Sequence, residues 1–264
     1  VKRILFIHIP KAGGTTLNSI ISENVPSQER YATRYMWKGN PDFNNLSHTE
    51  KRKIYFLHGH MPFGFHSQLG TEEFTYITVV REPIERVLSA HNNILKDTTH
   101  FLHKEFVENR LTIPEIHEKK IWSALDNCQV RMLSNSIQAP YGTIARENFE
   151  EAIRNIDQYF SLTGYQEKLD EFVVLLCGMM NWPAPVYRKR HQSLNRITAS
   201  DSDRNTIEVI REMNEWDIKL FNEVKRRFDV KIAEEGDRLI QDLNAYRANI
   251  NLINRIKDYF SNKD

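Results

Sequence analysis

Cysteine is nearly missing from this chain. Among 264 residues only Cys128 and Cys177 occur, too few and too far apart for a disulfide framework, in helical-looking stretches that suit buried free thiols. A reducing, cytoplasmic setting is therefore the expectation. Net charge is missing too: 36 Lys+Arg stand against 35 Asp+Glu, so no global field draws the chain to nucleic acid or to an anionic membrane. Anion binding must come from local groupings of cations and backbone donors. No long apolar run is present either, since the longest, Phe172 to Met180, is far short of the roughly 20 residues that span a bilayer. Ile4 to Ile9 is too brief for a targeting segment and leads straight into a Pro-Lys-Ala-Gly-Gly turn, so the expected chain begins as mature fold with no transmembrane segment. What is there matches an average soluble protein: 40% hydrophobic and 27% charged residues exclude collagen, a coiled-coil rod and wholesale disorder, and call for one packed domain over 1–264.

The order of elements is readable from periodicity. Lys2 to Ile9 is a short Ile-rich run, followed by a glycine turn and by Thr15 to Ile21 with apolar positions at helical spacing, which predicts strand, loop, helix. Residues 25 to 50, with Pro26, Gly39 and Pro41 in a polar mixture, read as an irregular insertion. Lys53 to His58 and Phe74 to Val80 read as buried parallel strands that join the first. Ile84 to Leu95 predicts a helix opened by Pro83, whose missing N–H costs nothing at that position. Further helices fall within 101–135, a strand at Tyr159 to Thr163, and a helix at Glu167 to Met180. From Asn205 the chain is helical, over Ile207 to Phe228 and then Asp237 to Phe260. The extension from about residue 234 carries an imperfect apolar stripe and is expected to pack on its own domain or on a second copy. The sum is an α/β three-layer domain with a central, mainly parallel sheet and a helical C-terminal part.

Two stretches carry anion chemistry. In His8-Ile9-Pro10-Lys11-Ala12-Gly13-Gly14-Thr15-Thr16-Leu17 a glycine turn links strand to helix, so backbone N–H groups converge, the helix N-terminus adds favourable potential, and missing Cβ atoms permit close approach. A phosphate or sulfate group fits there. This is not the nucleoside-triphosphate loop, in which Lys follows the glycines; here Lys11 precedes them. A plain tight turn with Lys11 as a solvated bystander is the competing reading. The second stretch, Val80-Arg81-Glu82-Pro83-Ile84-Glu85-Arg86-Val87-Leu88-Ser89, lies at a strand end and helix start. Ligands of open α/β sheets bind outside the carboxyl ends of strands, so Arg81 and the glycine turn are expected to share one crevice. Arg81 offers a guanidinium fork and Ser89, two helical turns on, a hydroxyl. Arg86 reads as pairing with Glu82 across one helical turn.

Taken together the two stretches resemble the sulfotransferases that use 3'-phosphoadenosine 5'-phosphosulfate (PAPS). Pro10-Lys11-Ala12-Gly13-Gly14-Thr15-Thr16 is similar to their 5'-phosphosulfate loop, and Arg81-Glu82-Pro83 with Arg86 and Ser89 to their 3'-phosphate motif. Phe6-Ile7-His8-Ile9-Pro10-Lys11 is closest to the branch holding the heparan sulfate 2-O- and uronyl sulfotransferases. Asn127 to Arg131 with Leu133, Leu162 to Glu167, and Asn214 to Asp217 agree with that branch. The resemblance implies a P-loop-like fold, PAPS as donor, adenosine 3',5'-bisphosphate (PAP) as product, no metal, and a hydroxyl acceptor on a glycan or a glycosylated small molecule.

Phe56-Leu57-His58-Gly59-His60-Met61-Pro62 follows the second predicted strand. Residues two apart on an extended chain point the same way, so His58 and His60 are expected to face one cleft, either being suited as general base. In the resembling branch the base is a histidine of a similar segment, which puts the role on His60 with His58 as support or substitute. Metal chelation by His-x-His is the rival, unsupported by a further ligand pattern. His8 reads as a satisfied interior residue. The densest basic stretch, Tyr187 to Arg196, reads as a solvated loop; a related loop in the resembling family closes over the nucleotide, which makes Arg190 and Arg196 candidates for cofactor contact. A phosphotransferase and a noncatalytic nucleotide-binding protein on the same architecture are the alternatives.

Overall fold

Strands that are apolar on both faces must be covered on both sides, and the short Ile- and Phe-rich runs of this chain build such a sheet. The computed structural model describes residues 3–33, 41–70, 73–183 and 198–261. Strands β1 (Arg3–Ile7), β2 (Arg30–Thr33), β3 (Phe56–Gly59), β4 (Phe74–Val80) and β5 (Phe160–Tyr165) form one parallel sheet in the order β2-β3-β1-β4-β5. Ile4, Leu5, Phe6 and Ile7 are consecutively buried, which requires helices on both faces. These are drawn from α1 (Gly14–Asn24), α2 (Pro41–Asn44), α3 (His48–Lys53), α4 (Pro83–Lys96), α5 (His103–Glu108), α6 (Ile113–Glu118), α7 (Cys128–Leu133), α8 (Arg146–Tyr159), α9 (Leu169–Met180), α10 (Arg204–Met213) and α11 (Glu215–Ser261). After β1 the chain lays down β2 and β3 on one side, then crosses to β4 and β5 on the other. A crevice opens where the direction of winding reverses, outside the carboxyl ends of β1 and β4.

Several boundaries depart from expectation. The supposed insertion over residues 25 to 50 contains the edge strand β2, the short helix α2 and the start of α3. Ser47 and Glu50 form a reciprocal capping box on α3: the Glu50 N–H donates to Ser47 Oγ at 3.3 Å and the Ser47 N–H to Glu50 Oε2 at 2.8 Å. The helix expected over Ile207 to Phe228 breaks at Asn214, whereas the interruption of α11 at Gly236 (φ 54°, ψ −138°) agrees with the helix expected to begin at Asp237. Beyond that break Leu239, Leu243 and Tyr246 are buried, and Arg247 lies 3.9 Å from Glu171 and 4.0 Å from Asp170 on α9, so this part of the helix packs on the body of its own chain. Cys128 and Cys177 are both buried free thiols, pushed up to about 11 and about 12 by burial. No described helix is long and apolar enough to cross a membrane.

The break at Asn214 is one side of a reciprocal capping arrangement. Asn127 Oδ1 accepts from the N–H groups of Trp216 and Asp217 at 2.9 and 3.0 Å, closing the start of α11. Asp217 accepts in return from Gln129 N–H at 3.1 Å and Val130 N–H at 2.8 Å, closing the start of α7. Each cap contributes about 1 kcal/mol. Arg86 completes the knot, and here the expected pairing with Glu82 is corrected: Arg86 is fully buried, donates from Nη1 to the Ala124 carbonyl at 3.1 Å, and lies 3.9 Å from Asp217. Burying both charges together avoids the larger cost of burying either alone.

Candidate functional site

Because all five strands are parallel, the residues that follow them gather at one edge. His8 follows β1, His60 follows β3, Arg81 follows β4 and Gln166 follows β5; all four line a cleft of about 1200 Å³. The loop after β1 turns tightly through left-handed backbone at Lys11 (φ 68°) and Gly13 (φ 86°). Lys11 is held there by two contacts. Its Nζ donates to Asn93 Oδ1 on α4 at 2.8 Å, and its carbonyl accepts from Arg81 Nη1 at 2.9 Å. The two stretches singled out in the sequence therefore meet in one crevice. Burial, and then the Arg81 guanidinium, lower the proton affinity of the Lys11 ammonium below its ordinary value, as a bound anion would reverse.

Helix α1 points its N-terminus into the same space. Gly13, its N-cap, supplies no side-chain acceptor, and its first turn carries no acidic residue. The N–H groups of Gly14 and Thr15 thus belong to the unpaired set at a helix start and favour an anion. Gly14 is required on steric grounds as well, since a Cβ there would lie 2.0 Å from Cδ2 of His8. Gly14→Ala is expected to lower the melting temperature by about 2–10 °C, from an overpacking cost of about 1–3 kcal/mol. Gly178→Ala, a helical position where nothing lies within 4 Å, serves as the control without overpacking and should leave the melting temperature unchanged or slightly raised in the same thermal scan.

The histidines divide differently from the expectation. Gly59, at φ 140° and so close to Thr33 that a Cβ would lie 2.2 Å from its carbonyl oxygen, ends the extended run. Met61 N–H then donates back to Gly59 O at 2.9 Å, a three-residue turn centred on His60. This turns His60 toward β1. Its Nδ1 lies 2.7 Å from the His8 carbonyl oxygen. A carbonyl only accepts, so Nδ1 carries the proton and Nε2 keeps a free lone pair in the neutral ring. Burial chiefly, with nearby Lys11, keeps the His60 pKa below 6.5, although the His8 carbonyl partly opposes this. His58 stays within β3, buried, off the cleft lining, its Nδ1 without a hydrogen-bond partner and its pKa lowered to about 4 by burial and then Arg30. The alternation of an extended chain, on which the joint placement of His58 and His60 rested, is broken at Gly59. His8, read as an interior residue, instead lines the cleft beside His60 at a ring separation of 4.5 Å, its pKa lowered to about 3 by burial, His60, His58 and Lys11.

Of the anion-binding candidates, Lys11, Gly13, Gly14, Thr15, Thr16, Arg81 and Ser89 line the cleft, whereas Ala12 is buried behind the loop. Arg190 and Arg196 lie outside the described residues. The sequence reading missed Asn93 as well as Gln166, Glu167, Asp170 and Arg247, which also line the cleft. Asn93 stands one helical turn beyond Ser89, the spacing by which it was findable. Burial raises the pKa of Glu167. Among the described residues no group of three or more His, Cys, Asp or Glu side chains is arranged to hold a metal ion.

The chain is 22% identical over 307 residues to heparan-sulfate 6-O-sulfotransferase 2 of Danio rerio, covering 94% of this chain and 64% of that protein. It is 24% identical over 277 residues to heparan-sulfate 6-O-sulfotransferase 1 of Cricetulus griseus, covering 85% and 67%. A heparan sulfate 2-O-sulfotransferase of Caenorhabditis elegans is 30% identical over 99 residues, 33% of this chain and 31% of that protein. The chain thus spans less than two thirds of the length of the first of these relatives. A model of the sulfotransferase family matches residues 1–222, the whole of the sheet and both candidate anion-binding stretches, and this chain belongs to that family.

Proposed function

We propose that the protein transfers a sulfuryl group from PAPS to a hydroxyl of a carbohydrate acceptor, releasing PAP, with His60 as general base. The observation that carries this reading is the 2.9 Å hydrogen bond from Arg81 to the Lys11 carbonyl, which ties two anion-suited segments into one cleft. The residues suit the donor. The uncapped start of α1, with Gly13, Gly14 and Lys11, suits a 5'-phosphosulfate, and Arg81 with Ser89 suits a 3'-phosphate. When bound, PAPS supplies an activated sulfuryl group open to in-line displacement. Lys11 and the first-turn N–H groups neutralise charge that grows on the bridging oxygen, and bind it more strongly in the transition state than before it. Nε2 of His60 takes the acceptor hydroxyl proton, while Nδ1 stays on the His8 carbonyl and fixes the ring. The relatives named for heparan sulfate support a glycan acceptor.

The test is incubation of the purified protein with labelled PAPS, and separately with ATP and magnesium, across a panel of oligosaccharides read by mass spectrometry. A sulfated sugar is expected. A phosphorylated product would replace this reading with phosphoryl transfer, and PAP binding without any product would make the chain a noncatalytic nucleotide binder.

A further inference from the structure

Strand β4 stops being paired just where it delivers Arg81. Its last ladder partner is Tyr165 opposite Val80, so the peptide groups of Arg81 would be buried without sheet partners. Gln129 satisfies both. Its Oε1 accepts from the Arg81 N–H at 2.9 Å and its Nε2 donates to the Arg81 carbonyl at 3.0 Å. The two backbone groups settle which amide atom is oxygen and which is nitrogen. A primary amide is the uncharged side chain that offers one donor and one acceptor in the same plane, so it mimics the strand that is missing. Gln129 is itself fully buried in the first turn of α7, and its own N–H is held by the buried carboxylate of Asp217 at 3.1 Å.

We infer that Gln129 is a positioning residue for the nucleotide's 3'-phosphate: by clamping the backbone of Arg81 at both peptide groups, it aims the guanidinium into the cleft. This rests on the donor assignment proposed above. Arg81 contributes a long, many-jointed side chain, and a charged fork recognises phosphate well only when its base is fixed. The route from the core to the site then runs from Asp217 through the start of α7 to Gln129, and from there to a residue with no helix or ladder of its own to hold it. Gln129 never reaches the cleft lining.

The test compares PAP with adenosine 5'-monophosphate, which differs by the 3'-phosphate alone, using calorimetric affinities for the wild type and for Gln129→Met. Methionine keeps length and volume but has no amide. With both backbone hydrogen bonds to Arg81 removed, the PAP to AMP affinity ratio is expected to fall about tenfold. Any loss of folded protein lowers both apparent affinities alike and leaves the ratio unmoved, so a purely structural role does not produce this result. In steady state, the KM for PAPS should rise by a larger factor than kcat falls. Should Gln129→Met fail to fold, Gln129→Asn keeps the amide but withdraws it by one methylene, and the same fall in ratio is expected. A wild type that prefers PAP and a folded variant that keeps the full preference would overturn the clamp alone. A wild type without that preference would overturn the donor assignment and the clamp with it.

Discussion

Replacing His60 by Ala should lower turnover by about 10²- to 10⁴-fold while PAP binds with wild-type affinity. The size is that of removing the proposed proton acceptor, whose tautomer is set by the His8 carbonyl, 2.7 Å from Nδ1. The pH profile gives an independent check. Burial holds the His60 pKa below 6.5, so the ring is neutral at physiological pH and becomes protonated only on the acid side. kcat/KM should therefore be flat through neutrality and fall as pH drops through a midpoint below 6.5, and the His60→Ala variant should lack that limb. His58 and His8, at about 4 and about 3, titrate later. Their lowered values also work on stability: the unfolded chain binds protons first, so their contribution is complete above about pH 6.5 and is lost as pH falls toward their folded values. Melting scans alongside the rates separate that unfolding from the titration of His60. Activity of the variant within twofold of wild type would remove His60 from the reaction.

Replacing Lys11 by Ala should cut kcat by about 10²- to 10³-fold, the usual size for removing one group that meets developing charge, with a smaller rise in KM for PAPS. The substitution is clean for a backbone reason. Lys11 sits at φ 68°, where any residue with a Cβ bears a penalty of about 1–2 kcal/mol, so Ala adds no new strain. The Lys11 carbonyl remains available to Arg81, and the loop keeps its tie to the second motif. The ammonium, its bond to Asn93 and the methylene stem that carries it are removed. A variant with wild-type kcat and a raised KM would show that Lys11 binds the donor equally in ground and transition states. Steady-state kinetics with PAP as a competitive ligand measures both quantities.

The parts of this site that were legible in the sequence share a physical cause. Lys11, Gly13 to Thr16, Arg81 and Ser89 sit where a strand hands over to a helix, and that junction is marked by local signals, glycine before α1 and Pro83 at the start of α4. The three central strands were legible because burial on both faces leaves an unbroken apolar run. β2 was not, since an edge strand of four residues with only Thr33 buried carries no such run. The fates of His58 and His60 were hidden for another reason: period-two alternation holds only while the chain stays extended, and the φ of Gly59 is set by contact with Thr33 on a neighbouring strand. Arg86 misled in the same way, because its partner Asp217 is remote in the chain. Asn127, Gln129 and Asp217 stood out in the sequence as parts of stretches that resemble the heparan sulfate branch, but the capping that links them is a property of packing.

The helical turns that follow Gly236 lie past the region shared with the family, yet they bury Leu239, Leu243 and Tyr246 and bring Arg247 to the cleft. Shortening the protein to residues 1–222 for expression would consequently strip the core of Leu239, Leu243 and Tyr246 and take Arg247 from beside Asp170 and Glu171, yielding material that clumps, however fully it matches the family.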